Sequence, residues 1–276
     1  MRRTRLLAPS GHMAPGLNTV RVESFFAGVR DGESRVLMLD YDGTLAPFRA
    51  RPQNALPYPG VVELIDEIMR RTDTQVAIVS GRWIRDLVGL LRLRKPPEIW
   101  GTHGREHLAA DGTYRIEPLS QAAQSGLLRI DVWEHDIRAL GGRVERKPAS
   151  MAVHWRGLSD TRAGNIRALV RERWDAMTEH TELVIRDFNG GIEILARGFD
   201  KSVAVDSMLA RAGPGCVAAY LGDDHTDDDA MRAIRTRGIG VLVGRSFRPS
   251  PAEAWVRPPH GVRGFLQRWL SACRAG

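Results

Sequence analysis

The chain has 276 residues, 43% of them hydrophobic and 26% charged, enough to bury one large domain or two modest ones. Its net charge is +7, but the basic residues are scattered and no nucleic-acid motif accompanies them, which sets nucleic acid aside as a partner. No run approaches the roughly 18 apolar residues of a membrane span, and two cysteines make no disulfide framework, so a cytoplasmic protein without membrane attachment is expected.

Residues 1–20 read as a basic, flexible tail, in which Leu6-Leu7-Ala8 is too short for a signal-peptide core and Met13 is an alternative start. Val36-Leu37-Met38-Leu39 is a buried parallel strand, followed by helical spacing over 60–71. A second strand over 75–79 ends at Ser80-Gly81-Arg82. A helix over 83–91 and a short strand over 98–100 then lead into Gly101-Thr102-His103-Gly104. This βαβαβ order predicts a doubly wound, Rossmann-like α/β core.

The pattern changes after Arg105. An edge strand over 114–116, an amphipathic helix over 120–140 and a helix over 161–179 are expected. Residues 143–156 and 183–195 alternate like strands, and Asp187-Phe188-Asn189-Gly190-Gly191 is a hairpin signal. The parallel pattern resumes with helices over 200–211, 227–234 and 262–273 and strands over 217–221 and 240–243. The chain thus divides into a core of 21–106 and 196–276, split by an α+β insert over 107–195.

Asp40-Tyr41-Asp42-Gly43 follows the first strand, so two carboxylates stand where open α/β sheets place their ligands. A second cluster, Gly222-Asp223-Asp224-His225-Thr226-Asp227-Asp228-Asp229, holds five Asp in seven residues. Helix capping accounts for Asp227 and Asp228 but not for Asp223 and Asp224. Oxygen donors of this kind suit Mg²⁺. Ser80 and Gly81 are either a turn and cap or an anion site at a helix start. Of 40 basic residues only Lys95, Lys147 and Lys201 are Lys, so Lys201 at a helix start, unfavourable with the dipole, points to an anion. Together these fit phosphoryl transfer through an aspartyl-phosphate.

Asp40-Tyr41-Asp42-Gly43-Thr44-Leu45, Ser80-Gly81-Arg82, Lys201 and Gly222-Asp223-Asp224-His225-Thr226-Asp227 resemble the four motifs of haloacid-dehalogenase-like (HAD) phosphatases. The resemblance implies that Asp40 attacks phosphorus, that Asp42 is the acid and base, and that Thr44, Ser80, Gly81 and Lys201 hold the phosphoryl group. It also implies that Asp40, Asp42 through its carbonyl, and Asp223 bind Mg²⁺ with Asp227 in support. Just before and within the insert, Gly101-Thr102-His103-Gly104-Arg105-Glu106, Glu145-Arg146-Lys147, His154-Trp155-Arg156 and Ile192-Glu193-Ile194 resemble trehalose-6-phosphate phosphatases, as does the form of the fourth motif. The insert is then a mobile cap with hinges near 105–108 and 197–200. Arg82, His103, Gly104, Glu145, Lys147, Arg156 and Glu193 become the substrate contacts.

Ser202 stands where that family usually has Gly, 195–198 replaces its usual Arg-Pro ending, and 247–259 carries no signature. Read without the resemblance, the alternative for Glu145, Lys147 and Glu193 is cross-strand ion pairing on a solvated sheet face, and that for His103 and, above all, His154 is an ordinary core or hydrogen-bonded histidine. The expected activity is Mg²⁺-dependent hydrolysis of trehalose 6-phosphate by a monomer, with a trehalose-phosphate synthase as candidate partner. The rivals are a phosphatase for another sugar phosphate and a phospho-acceptor signalling module, which leaves Asp42 and the insert unexplained.

Overall fold

The computed structural model describes residues 19–49, 51–130, 134–179 and 181–275. The tail expected over 1–20 lies outside them, except that Thr19 and Val20 already open a helix. In chain order the core begins with α1 (Thr19–Asp31), β1 (Ser34–Leu39), α2 (Val61–Arg71), β2 (Thr74–Val79), α3 (Ile84–Leu91), β3 (Glu98–Gly101), β4 (Glu106–Leu108) and β5 (Tyr114–Ile116). The insert holds α4 (Gln121–Arg129), α5 (Glu134–Ala139), β6 (Arg143–Lys147), β7 (Ser150–His154), α6 (Asp160–Thr178), β8 (Leu183–Phe188) and β9 (Gly191–Ala196). The core closes with α7 (Ser202–Ala212), β10 (Cys216–Gly222), α8 (Asp228–Ile234), β11 (Gly238–Val243), β12 (Ala254–Val256) and α9 (His260–Ala275).

The larger sheet runs β12-β11-β10-β1-β2-β3-β4-β5, parallel except for β4 and β5. β1 reads as a continuous apolar run because both its faces are covered. Leu37 and Leu39 pack with α1, α2 and α9 on one side, Val36 and Met38 with α7 and α8 on the other. α1 escaped the sequence reading, although Val22, Phe26 and Val29 recur at helical spacing and Phe26 meets Phe265 of α9 at 5.3 Å.

The smaller sheet is antiparallel, in the order β6-β7-β9-β8. Pleating sends Met151, Val153, Ile192 and Ile194 into a separate core around the fully buried Trp174 of α6. It turns Glu145, Lys147, His154 and Glu193 to the opposite face, toward the larger sheet.

Two expectations are corrected. β4 and β5 extend the larger sheet, so residues 106–116 belong to it and the insert's own sheet begins at Arg143. The strand read over 143–156 is a hairpin, broken at Pro148-Ala149 because proline cannot donate to the ladder. Of the helix read over 120–140, the described residues show α4, which ends at Arg129, and α5, which runs from Glu134 to Ala139.

The two crossings between the layers meet one side chain. Arg105 donates from Nε to the carbonyl of Glu117 (2.8 Å) and from Nη2 to that of Pro118 (2.5 Å), on the way into the insert. Its guanidinium also lies 4.7 Å from the ring of Phe199, on the way out.

Candidate active site

Strand register brings the motifs to one edge. Leu39 pairs with both Leu221 and Ile78, so the residues that follow each strand emerge side by side. The Asp40 amide donates to the Leu221 carbonyl at 2.9 Å, in the crevice where β10 and β1 part company in sequence order. Between this edge and the smaller sheet lies a cavity of about 270 Å³. Asp40, Asp42, Ser80, Gly81, Arg82, His103, Lys201 and Asp223 line its floor, and Glu145, Lys147, His154, Arg156 and Glu193 its roof.

At the floor, Lys201 Nζ donates to Asp40 Oδ1 (2.7 Å) and to Asp227 Oδ1 (2.6 Å), all three groups being buried. Burial opposes the Lys201 charge, but Asp227 and Asp40 outweigh it and keep the ammonium protonated. The unfavourable helix-start position is thus offset by carboxylates. Burial lifts the Asp40 carboxyl to about 7 against the pull of Lys201, with Asp227 adding to the rise. The second oxygen, Asp40 Oδ2, is buried without a partner, as is Thr44 Oγ1. Orphaned buried acceptors of this kind are costly unless a ligand completes them.

Asp227 is fully engaged. Oδ1 also accepts the Tyr220 hydroxyl (2.6 Å), and Oδ2 accepts the amides of Asp223 (3.1 Å) and Asp224 (2.9 Å). It organises the loop and has little left for a cation. Asp224 in turn caps His225, so capping explains Asp224 as well as Asp227, contrary to the sequence reading. Asp223 is the exception: its carboxylate lies against Gly43. Burial, then the charges of Asp40 and Asp227, push it well above the usual carboxylate range. Oxygens of Asp40, Asp223 and Asp227 lie within 4.8 Å of one another. Crowded carboxylates with one free oxygen on Asp40 fit a divalent cation.

Asp42 is gripped by Arg82, whose Nε and Nη2 reach its two oxygens at 2.5 and 2.7 Å. Gly81 has no side chain because His103 occupies that space; a Cβ would stand 2.7 Å from its ring. Both Thr102 and His103 take left-handed backbone angles (φ 50° and 57°), which aims the imidazole upward. Its Nε2–H donates to Glu193 Oε2 at 3.0 Å, joining the two sheets. Burial depresses the His103 pKa and keeps the ring neutral.

In the roof, Lys147 (3.0 Å) and Ser150 (2.5 Å) both donate to Glu193 Oε1. Burial works against the Glu193 charge, yet Lys147 and His103 prevail and hold it well below the usual range. With Glu193 only 3% exposed, this is a buried cross-strand pair facing a cavity, not a solvated one. His154 donates to Glu145 Oε2 at 2.7 Å and lines the cavity, so it is more than a core histidine. Arg156 stacks 4.0 Å from the Phe48 ring and donates to the Asn189 carbonyl, linking the roof to the floor's rim.

Gly104 does not line the cavity; with φ +96° it lets the chain pass close to the Asp200 carbonyl. Phe48, Arg49, Asp86, Arg143, Phe188 and Asn189 also line the cavity and were not read from sequence. The hairpin signal at 187–191 was the only hint, locating a turn but not what it faces.

A model of the family described as trehalose-phosphatase matches residues 38–253, the stretch that carries all four motifs and the roof. The chain belongs to the trehalose-phosphatase family. A Mycobacterium tuberculosis protein described as an uncharacterized glycosyl hydrolase is 30% identical over 267 residues, covering 91% of this chain but 19% of that one. This family member therefore spans less than a fifth of that relative's length. A probable trehalose-phosphate phosphatase of Oryza sativa is 29% identical over 260 residues, covering 86% of this chain and 66% of the other. Among solved structures, the Candida albicans trehalose-6-phosphate phosphatase C-terminal domain superposes with a TM-score of 0.77 at 18% identity, covering 95% and 99% of the two chains. A haloacid dehalogenase-like hydrolase of Bacillus subtilis gives 0.60 at 12% identity, covering 84% and 98%. The HAD-like fold expected from the motifs is thus the fold of this trehalose-phosphatase family member.

Proposed function

We propose that the protein hydrolyses trehalose 6-phosphate to trehalose and inorganic phosphate. The observation that carries this is Asp40, held through one oxygen by Lys201 while the other stands buried and unpartnered at the cavity floor. Asp40 Oδ2 attacks phosphorus, the bond to the sugar oxygen breaks, and Asp42 gives that oxygen a proton, since an alkoxide leaves poorly without one. Asp42 then takes a proton from water, which attacks phosphorus and frees Asp40 and phosphate.

Arg82 grips both Asp42 oxygens, so each proton transfer exchanges one of those bonds for a bond to the reacting oxygen. Thr44 and Ser80 hold the phosphoryl oxygens, and Lys201 offsets their charge. Mg²⁺ held by Asp40, Asp223 and the Asp42 carbonyl would offset the clustered carboxylate and phosphoryl charge. Glu145, Lys147 and Glu193 read sugar hydroxyls, which both donate and accept. Glu193 already accepts three hydrogen bonds, so it takes one hydroxyl at most.

The α+β insert would act as a cap that excludes water during the first transfer. On the same reading the protein is a cytoplasmic monomer, supplied with its diffusible substrate by a trehalose-phosphate synthase and needing no nucleic acid.

The test is phosphate release with Mg²⁺ from trehalose, sucrose, glucose and glycosyl-glycerol phosphates, with Asp40→Asn alongside. Preference for trehalose 6-phosphate, abolished by Asp40→Asn and by EDTA, is expected. Preference for another sugar would keep the chemistry of the floor and discard the reading of the roof. A phospho-protein that persists without turnover would favour a signalling role instead.

A further inference from the structure

Residues 244–253, between β11 and β12, match no motif, yet one of their side chains reaches behind the acidic loop. Arg248 donates from Nη2 to the Asp224 carbonyl (2.6 Å) and from Nε to the Asp223 carbonyl (3.4 Å). Nη2 and Nη1 also meet the two oxygens of Asp228 at 2.8 and 3.1 Å, and Ser250 donates to Asp228 Oδ1 at 3.3 Å.

The loop is therefore held from both sides. The peptide unit joining Asp223 to Asp224 has its N–H on Asp227 Oδ2 and its carbonyl on Arg248 Nε. The next unit has its N–H on Asp224 Oδ1 and its carbonyl on Arg248 Nη2. The preceding unit, from Gly222 to Asp223, also has its N–H on Asp227 Oδ2 (3.1 Å), so both planes that flank the Asp223 Cα are tied and its carboxylate leaves the loop against Gly43. A planar guanidinium can span two carbonyls and a carboxylate together; an ammonium cannot.

We propose that Arg248 is a positioning residue for cation binding: it touches neither substrate nor cation, but fixes the loop that aims the Asp223 carboxylate. This rests on the reading of Asp40 and Asp223 as holders of a divalent cation. It assigns a task to a segment for which sequence reasoning found none.

The experiment is calorimetric titration of Mg²⁺ alone into metal-free native protein and Arg248→Met, with melting temperatures recorded before and after Mg²⁺. Loss of an outer-shell partner of this kind should raise the Mg²⁺ concentration for half-binding by about tenfold or more. KM for trehalose 6-phosphate at saturating Mg²⁺ should stay within about twofold, because uniform substrate binding is untouched. Arg248→Lys keeps the charge but not the fork, and should fall between the two. It carries the same comparison if Arg248→Met does not fold. Native-like Mg²⁺ binding by the variants would overturn the proposal while leaving the cation reading intact. Absence of Mg²⁺ binding by the native protein would overturn both.

Discussion

Gly43 takes φ +86°, and a Cβ there would overlap the Asp223 carboxylate. Gly43→Ala must both strain the backbone and displace Asp223 from Asp40. Phosphate release should fall about a hundredfold, as misplacing a group in an active site by an ångström does. The melting temperature should change far less in proportion, and native-like turnover in steady-state assays would refute the close approach. Asp40, Asp42 and Asp223 were legible in the sequence because their mutual repulsion served no need of the fold. Tyr220 was not legible: it looked like one more apolar residue of a buried strand, and only the folded chain puts its hydroxyl on Asp227. Phe48 and Arg248 sit in segments without any period, where proximity is decided by tertiary structure alone.

β6 and β7 form a hairpin whose cavity face carries Glu145 and, on the neighbouring strand, His154. Burial opposes the Glu145 charge, but the His154 hydrogen bond and the charge of Lys147 outweigh it, bringing the carboxyl from its ordinary 4.5 to about 2. Because the folded value is the lower one, the unfolded chain takes up the proton first as pH falls. The pair thus contributes fully above 4.5 and loses its contribution as the pH drops toward about 2. Glu145→Gln should therefore melt below the native protein at neutral pH, with the gap narrowing from about pH 5 to pH 3. A gap that ignores pH in matched thermal melts would show the carboxylate charge to be immaterial. Elements with a continuous apolar run, such as β1, β2 and β10, could be read directly. β4 and β12 are three residues each, too short for alternation to register, whereas the equally short β5 was read as the edge strand it is. Pro148 was the overlooked punctuation in the 143–156 stretch.

The molecule keeps its floor and roof on separate hydrophobic cores, and Trp174 belongs only to that of the roof. Trp174→Ala should cost about 3–5 kcal/mol of that layer's stability through the cavity it leaves. Hydrolysis of trehalose 6-phosphate should drop sharply, whereas a small aryl phosphate needing only the floor should still be turned over. Parallel loss of both activities in side-by-side assays would show that the layers do not divide the work. The two-layer plan was legible from the switch between parallel and alternating patterns, but its boundary was not, because β4 and β5 continue one sheet through antiparallel pairing, β4 running against its direction. Arg105 has a consequence for how such a molecule moves. It grips the inbound crossing and stacks on the outbound one, so the two connections share a single pivot, and a rotation about it keeps those contacts whereas a slide would break them. His103, two residues before that pivot, bonds Glu193; at the 187–191 hairpin tip the Asn189 amide donates to Asp224 Oδ2 and its carbonyl accepts from Arg156, which stacks on Phe48. Were the layers to part about that pivot, the contacts at the hairpin tip would be the ones to open, and a ligand would pass between Phe48 and Asn189, which both line the cavity, to reach the floor.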